Sequence, residues 1–327
     1  MAINKDLKTF FIKGSIFLMV LFITDRALGL VFAHLTKTQK AGKYTASNIA
    51  FTKANEDVIV FGPSTGRNNY DVPLISQALK LPVRSVAEPA MCPIFHDVQL
   101  HFILKRYIPK LIVIDIRSQE LIGKGFEQAA LISQVLPYYS NAAKENFKIL
   151  DGLDDFKSAV LKARISSVYK YNSQLLYLLQ ANYAPGGDDE KILKLKGYEP
   201  LLAKPEDRLL KMEFSDYGFG NTKPDQLIYD SFYDFVNTAQ KKGVKVVVVI
   251  PPKFYKTNDQ EIVNNFKKQV QKRYGSILYD FSIDTTFANH PELFANRLHL
   301  NNIGADVFTR KMVTIIKDKL KTGSNNN

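Results

Sequence analysis

The chain reads as an α/β protein built on a doubly wound, mostly parallel five-stranded sheet, with a helical insertion and an N-terminal transmembrane helix. Three observations lead there. Val58 to Phe61 is a short apolar run that meets Gly62, the mark of a buried strand ending in a tight turn. Residues 244–250, Val-Lys-Val-Val-Val-Val-Ile, form a second run that is apolar apart from Lys245. Around these two, strand-length apolar runs alternate with segments of helical period. Strands over 58–61, 83–87, 111–116, 244–250 and 276–281 predict a strand order like 2-1-3-4-5, and right-handed crossovers bring their carboxyl ends to one edge.

Composition bounds the rest. At 327 residues and 46% hydrophobic, the chain can bury one substantial core, and no shift in composition demands a second domain. The formal net charge of +12 favours anionic surroundings, a lipid headgroup layer or an acidic glycan. Nucleic acid is not expected as a partner, because the lysines are scattered and match no nucleic-acid-binding module. Cys92 is the sole cysteine, so no intramolecular disulfide or cysteine zinc cluster can form, and a lone buried thiol is expected.

Taken in order, residues 10–35 are mostly apolar and long enough to cross a bilayer, but Asp25-Arg26 interrupt them at a cost in lipid. Three readings compete: a membrane anchor over residues 1–36, a cleaved signal peptide with Val31-Phe32-Ala33 at its cleavage site, and a buried helix. The anchor is the expectation, followed by a linker over 37–56. Lys5, Lys8 and Lys13 are answered by Lys37, Lys40 and Lys43, so charge counting leaves the orientation open.

The strand at 58–61 then delivers Gly62-Pro63-Ser64 at the edge where open α/β sheets bind ligands. A serine there reads as a nucleophile or, equally, as the cap of the next helix. A helix over 72–80 and a strand over 83–87 follow, then the loop Ala87-Glu-Pro-Ala-Met-Cys-Pro93 and a helix over 94–107. His96 and His101 on that helix are five residues apart, a spacing that does not put them on one face as metal ligands, and no metal or cofactor is expected. The strand at 111–116 ends at Arg117. Its guanidinium suits a substrate carboxylate or a developing oxyanion, and equally a surface arginine closing a strand.

Residues 118–223 are too long for a crossover and rich in helix-forming runs, so they read as a helical insertion or lid. Tyr138, Tyr139, Tyr169, Tyr171 and Tyr177 in it suit either stacking on sugar rings or, by default, helical packing. Helices over 224–242 and 259–274 flank the strand at 244–250, and the strand at 276–281 completes the sheet. His299 precedes a final helix, capped by Asn301 or Asn302, with Gly304-Ala305 allowing close packing. Residues 321–327 read as a polar tail.

Gly62-Pro63-Ser64, with Asn296-Arg297-Leu298-His299-Leu300-Asn301 and Gly304-Ala305 in the same order, resemble the Gly-x-Ser turn and the late Asp-x-x-His-Leu-Asn-x-x-Gly-Ala segment of SGNH (GDSL-like) hydrolases. The resemblance covers about residues 57–116 and 244–320. With an anchor in front, the chain is similar to the membrane-anchored SGNH-like proteins that work beside membrane-bound O-acyltransferases in acetylating exported polysaccharides. Gly62 to Gly66 also matches the elbow of α/β-hydrolases, but that fold needs several strands before its serine.

The resemblance implies a flavodoxin-like SGNH domain over 57–320, placed outside the cytoplasmic membrane, with a glycan substrate and a membrane-bound O-acyltransferase as partner. It implies Ser64 as nucleophile and His299 as base, with the acyl-enzyme passing its group to water or a sugar hydroxyl. Two positions depart from the family. Asn296 stands where the acid is expected, and carries no charge to stabilise an imidazolium. Ala90 stands near the usual oxyanion glycine and can supply the same N–H if its backbone adopts the turn. Arg117 stands where many members place an oxyanion-binding asparagine. Glu292, Asp284 and Asp280 are near enough in sequence to replace the missing acid. A non-catalytic protein that binds glycan or acyltransferase, and a lipid or small-ester hydrolase working alone, are the other readings.

Overall fold

Five short strands pair in parallel in the order β2-β1-β3-β4-β5: β1 (Val58–Phe61), β2 (Val83–Ser85), β3 (Leu111–Asp115), β4 (Lys245–Ile250) and β5 (Leu278–Asp280). The computed structural model describes residues 5–124, 126–172, 174–202, 223–254, 260–288 and 290–322. Val58 pairs with Val83 on one side and Leu111 on the other, and Leu111 pairs with Lys245, so the first strand of the chain lies inside the sheet.

Side chains alternate across a strand, and here both faces are covered. Ile59, Phe61, Ile112, Ile114, Val246 and Val248 face one core. It is closed by α2 (Thr45–Thr52), α5 (Pro93–Leu104), α10 (Gln226–Lys241) and α11 (Gln260–Tyr274). Val58, Val60, Leu111, Val113, Val247 and Val249 face the other, against α4 (Val72–Leu79), α12 (Thr285–Ala288) and α13 (Asn302–Lys321). This is the doubly wound sheet that the continuous apolar runs predict. The strand expected over 83–87 ends two residues earlier, where the chain turns toward α5.

The insertion contributes α6 (Gln128–Val135), α7 (Phe156–Ile165), α8 (Leu175–Tyr183) and α9 (Gly187–Lys194), joined by 3-10 turns. Its Leu131, Phe147 and Phe156 pack with Phe51, Phe95 and Val98 on the outer side of α5, which is therefore buried all round from Pro93 to Leu100. Beyond α9 the chain runs along β2: the Ser85 N–H donates to Lys196 O at 3.0 Å and the Glu199 N–H to Arg67 O at 3.0 Å. That covers an edge strand that would otherwise present unpaired backbone. Residues 203–222 of the expected insertion, and 323–327 of the expected tail, lie outside the described residues; Lys321 ends α13.

Residues 37–56 are not the expected linker. Within them Thr45–Thr52 form α2, whose Asn48, Ile49, Ala50 and Phe51 are buried. Ile49 and Ala50 join the sheet core while Phe51 reaches the insertion, so the short helix fills the wedge between them.

The N-terminal helix α1 (Lys5–Thr38) has two halves. Residues up to Ile23 expose their apolar side chains, Phe10, Phe17, Leu21 and Phe22 among them, and this helix is long and apolar enough to cross a membrane. From Asp25 onward one side of it is packed, with Gly29, Phe32, Leu35 and Thr36 buried, while Leu28, Leu30 and Val31 stay exposed. The Asp25 carboxylate accepts from Ser166 Oγ (2.5 Å) and from the N–H groups of Ser167 (2.7 Å) and Val168 (3.3 Å). Arg26 donates to Ser167 Oγ (2.7 Å) and to the carbonyls of Ile165 (2.6 Å) and Arg164 (3.3 Å). Further along, Phe32 meets Tyr171 edge-on at 5.7 Å, and Leu35 packs with Leu178.

Gly62 carries φ +147°, and a Cβ there would stand 2.7 Å from Asp115 Cβ and 3.0 Å from Asp115 O. Gly62→Ala is expected to destabilise the protein by about 2–4 kcal/mol, through backbone strain plus overlap with β3, read as a drop in the thermal unfolding midpoint.

Candidate active site

Because Gly62 accepts that close pass, β1 turns abruptly through Pro63 into α3 (Ser64–Asn68), and Ser64 opens the helix at the carboxyl edge of the sheet. The Ser64 hydroxyl makes no capping bond. It lies 2.7 Å from Nε2 of His299. The next residue anchors the turn: Thr65 Oγ1 donates to one oxygen of Asp115 at 2.5 Å and the Tyr70 hydroxyl to the other at 2.9 Å. Burial pushes the Asp115 carboxyl up to about 7, against the pull of the two hydroxyls and Arg117.

The His299 loop is built to hold its ring. Phe294 and Leu300 form an antiparallel bridge, the Leu300 N–H donates to Asn69 Oδ1 at 3.1 Å, and Asn301 accepts from the N–H groups of Ile303 and Gly304 to cap α13. A Cβ on Gly304 would meet Leu293 O at 2.1 Å, so glycine is what lets the helix start this close to the loop. Asn296 Oδ1 receives the backbone N–H groups of Leu298 (2.9 Å) and His299 (3.0 Å) and also faces His299 Nδ1 at 3.0 Å. Two N–H donors identify that atom as the amide oxygen, which only accepts. Nδ1 therefore carries the proton, and Nε2 turns its lone pair to Ser64. Burial, then the charge of Arg117, lowers the His299 pKa to about 4, so the ring is neutral at neutral pH.

The three carboxylates expected to replace the acid do not. Glu292 is 2.7 Å from His290 Nδ1, Asp284 2.8 Å from Lys311 Nζ, and Asp280 2.7 Å from Lys267 Nζ. Each is held by a cation or histidine of its own, and among the described residues no carboxylate bonds His299.

Ala90 has φ +58°, the left-handed conformation that glycine adopts most easily. With Pro89 before it and the Met91 N–H on Glu88 O at 3.2 Å, it occupies the third position of a turn of type II character. That turn is tied to the serine loop by the Glu88 N–H on Gly62 O at 2.9 Å, and neither the Ala90 nor the Ser64 N–H has an acceptor among the described residues. The Glu88 side chain, buried, bonds Ser47 Oγ at 2.6 Å and faces Arg67 at 3.6 Å. Arg117 is buried, not a surface arginine. Its Nε donates to Glu120 Oε1 at 2.7 Å, and it borders, with Thr65, Pro251 and Leu298, a cavity of about 10 Å³. Burial pushes the Glu120 carboxyl up to about 7.

Other singled-out residues lie elsewhere. His96 is buried against Gln99, and His101 pairs with Asp234 at 3.2 Å, near Asp97, on the α5–α10 surface. Tyr138 stacks on Phe51, Tyr139 packs on Phe147, Tyr171 on Phe32 and Tyr177 on Tyr44, so these tyrosines serve packing. Tyr169 lies beside a cavity of about 330 Å³ between α6 and α7, away from Ser64. Cys92 is a free buried thiol. Sequence reasoning passed over Asn69, Asp115 and Glu120. Asp115 had left a signal, as the one charge in Leu-Ile-Val-Ile-Asp-Ile; nothing marked Asn69.

No family model and no curated protein matches the chain. Among solved structures it is similar to a family two carbohydrate esterase from Clostridium thermocellum in complex with cellohexaose, at 8% identity and a TM-score of 0.34. The alignment covers 82% of this chain and 66% of that one, just under two thirds of its length.

Any reaction that uses His299 as base is expected to rise through about pH 4, as the ring loses its proton, and to stay level above. Asn296→Asp keeps an oxygen for both N–H donors and adds the missing charge. It should move that limb up toward the ordinary histidine range and raise the plateau by about 10²–10⁴-fold, checked by pH–rate profiles. Glu292→Gln should leave both unchanged.

Proposed function

We propose that the chain is an SGNH-like serine esterase or O-acyltransferase acting on acyl esters of an exported glycan, with Ser64 as nucleophile and His299 as base. The observation that carries this reading is the 2.7 Å approach of Ser64 Oγ to the unprotonated Nε2 of His299, at the edge where parallel α/β sheets act on ligands. In the reaction Nε2 takes the hydroxyl proton as Oγ attacks the ester carbonyl. Collapse of the adduct breaks the ester bond and returns that proton to the leaving alcohol. Water or a sugar hydroxyl then takes the acyl group by the reverse sequence. The Ser64 and Ala90 N–H groups and the Arg117 guanidinium are the donors available to the oxyanion.

For localisation, the packing of Asp25, Arg26 and Phe32 supports a retained anchor over a cleaved leader. Cleavage at 31–33 would strip Asp25 and Arg26 from the 164–168 turn and Phe32 from Tyr171. An anchored domain outside the cytoplasmic membrane, beside a membrane-bound O-acyltransferase, fits that arrangement and the resemblance of the motifs.

A second reading, a non-catalytic protein that binds glycan or the acyltransferase, is favoured by the lack of a carboxylate bonded to His299. The full chain in detergent, with p-nitrophenyl acetate, separates the two. Residues 25–38 must be kept because they are part of the packed structure. Turnover that falls about 10³-fold or more in both Ser64→Ala and His299→Ala supports the esterase. Wild type that is as inactive as the variants, with and without the partner acyltransferase, supports the binding protein.

A further inference from the structure

We propose that the end of α7 beside α1 is a membrane-seating surface: Leu161 and Ile165 enter the boundary between headgroups and acyl chains, with Lys162 and Arg164 on anionic headgroups. This rests on the reading of α1 as a membrane anchor. Ahead of Asp25, α1 carries no charge from Gly14 to Thr24, about 16 Å, and Lys5, Lys8 and Lys13 before that run have side chains long enough to reach toward headgroups. Asp25 and Arg26 are the first charges after Lys13, and beyond them Leu28, Leu30 and Val31 remain exposed, so apolar surface of α1 flanks the pair on both sides.

What the pair binds at that level is the end of α7. Arg26 donates to the carbonyls of Ile165 and Arg164, and Asp25 holds the next three residues. Six bonds across a helix end and a turn fix the height of Ile165 relative to the anchor. Phe156, Ala159, Val160 and Ala163 spend the buried face of α7 on the insertion core. The opposite face presents Leu161 and Ile165, one turn apart, with 59% and 69% of their surface exposed. Lys162 and Arg164 flank them and are exposed too. An apolar pair rimmed by cations, and bonded beside the exposed apolar surface of α1, matches the chemistry of a helix lying against an anionic membrane.

The test uses the chain's lack of tryptophan. Phe17→Trp, Leu161→Trp, Ile165→Trp and Ile283→Trp would each place a single reporter in the full chain, reconstituted into phosphatidylcholine–phosphatidylserine vesicles with bromines on shallow acyl carbons. Ile283 is 58% exposed and follows β5, the sheet edge opposite β2. Leu161→Trp and Ile165→Trp should be quenched about twofold with blue-shifted emission, as residues buried about 5–10 Å in an interface are, while Ile283→Trp is unchanged. Quenching of Phe17→Trp without quenching at 161 or 165 would overturn the seat and leave the anchor standing. If Phe17→Trp is unquenched as well, the anchor fails and the seat with it.

Discussion

The buried Asp115 carboxylate at the end of β3 holds the functional edge of this protein together. A carboxylate out of water must have its oxygens satisfied, and here Thr65 and Tyr70 do so from the segment that follows β1. The bonds draw that segment onto β3 so closely that only glycine fits at position 62. Ser64 is left at the top of the turn as a result. Tyr70 then packs edge-on against Phe308 of α13 at 5.1 Å, and its neighbour Asn69 binds the Leu300 N–H. Two adjacent residues thus couple the serine turn to the histidine loop, which lies more than 200 positions later.

At that junction orientation and charge are separated. Asn296 fixes the tautomer and direction of the imidazole as well as an aspartate would, since its oxygen is already committed to two backbone donors. It contributes nothing to stabilising a positive ring. With burial and Arg117 both acting against protonation, the histidine is a well-aimed but weak base.

The same economy of polar groups operates at the other end of the molecule. Asp25 and Arg26, costly within hydrocarbon, become the joint between α1 and the insertion by meeting the orphan N–H and carbonyl groups of the 164–168 turn. The helix therefore continues into the domain without a flexible tether, and α2, packed beneath the sheet, extends that continuity to β1.

Much of this was legible in the chain. A strand buried on both faces is a continuous apolar run, so the five strands and their order could be read from residues such as 111–116 and 244–250. The serine turn was legible because Gly62 and Ser64 are close in sequence, and Asn301 as a cap for the same reason. The burial of α2 was not, because its polar flanks, Thr45, Ser47 and Asn48, resemble a linker until the insertion covers them. Nor could the fate of Glu292, Asp284 and Asp280 be read, since proximity along the chain does not say which cation or histidine each carboxylate will meet. By itself the sequence determined the strands and the turn chemistry, because periodicity and backbone geometry act over a few residues, and it marked Ser64 and His299 by the motifs around them. Only the tertiary structure decided that, among the described residues, no carboxylate joins Asn296 at His299, that Asp115 anchors the serine turn, and that Asp25-Arg26 is a joint with the insertion. Each depends on partners whose burial and aim are set by the packing of distant segments.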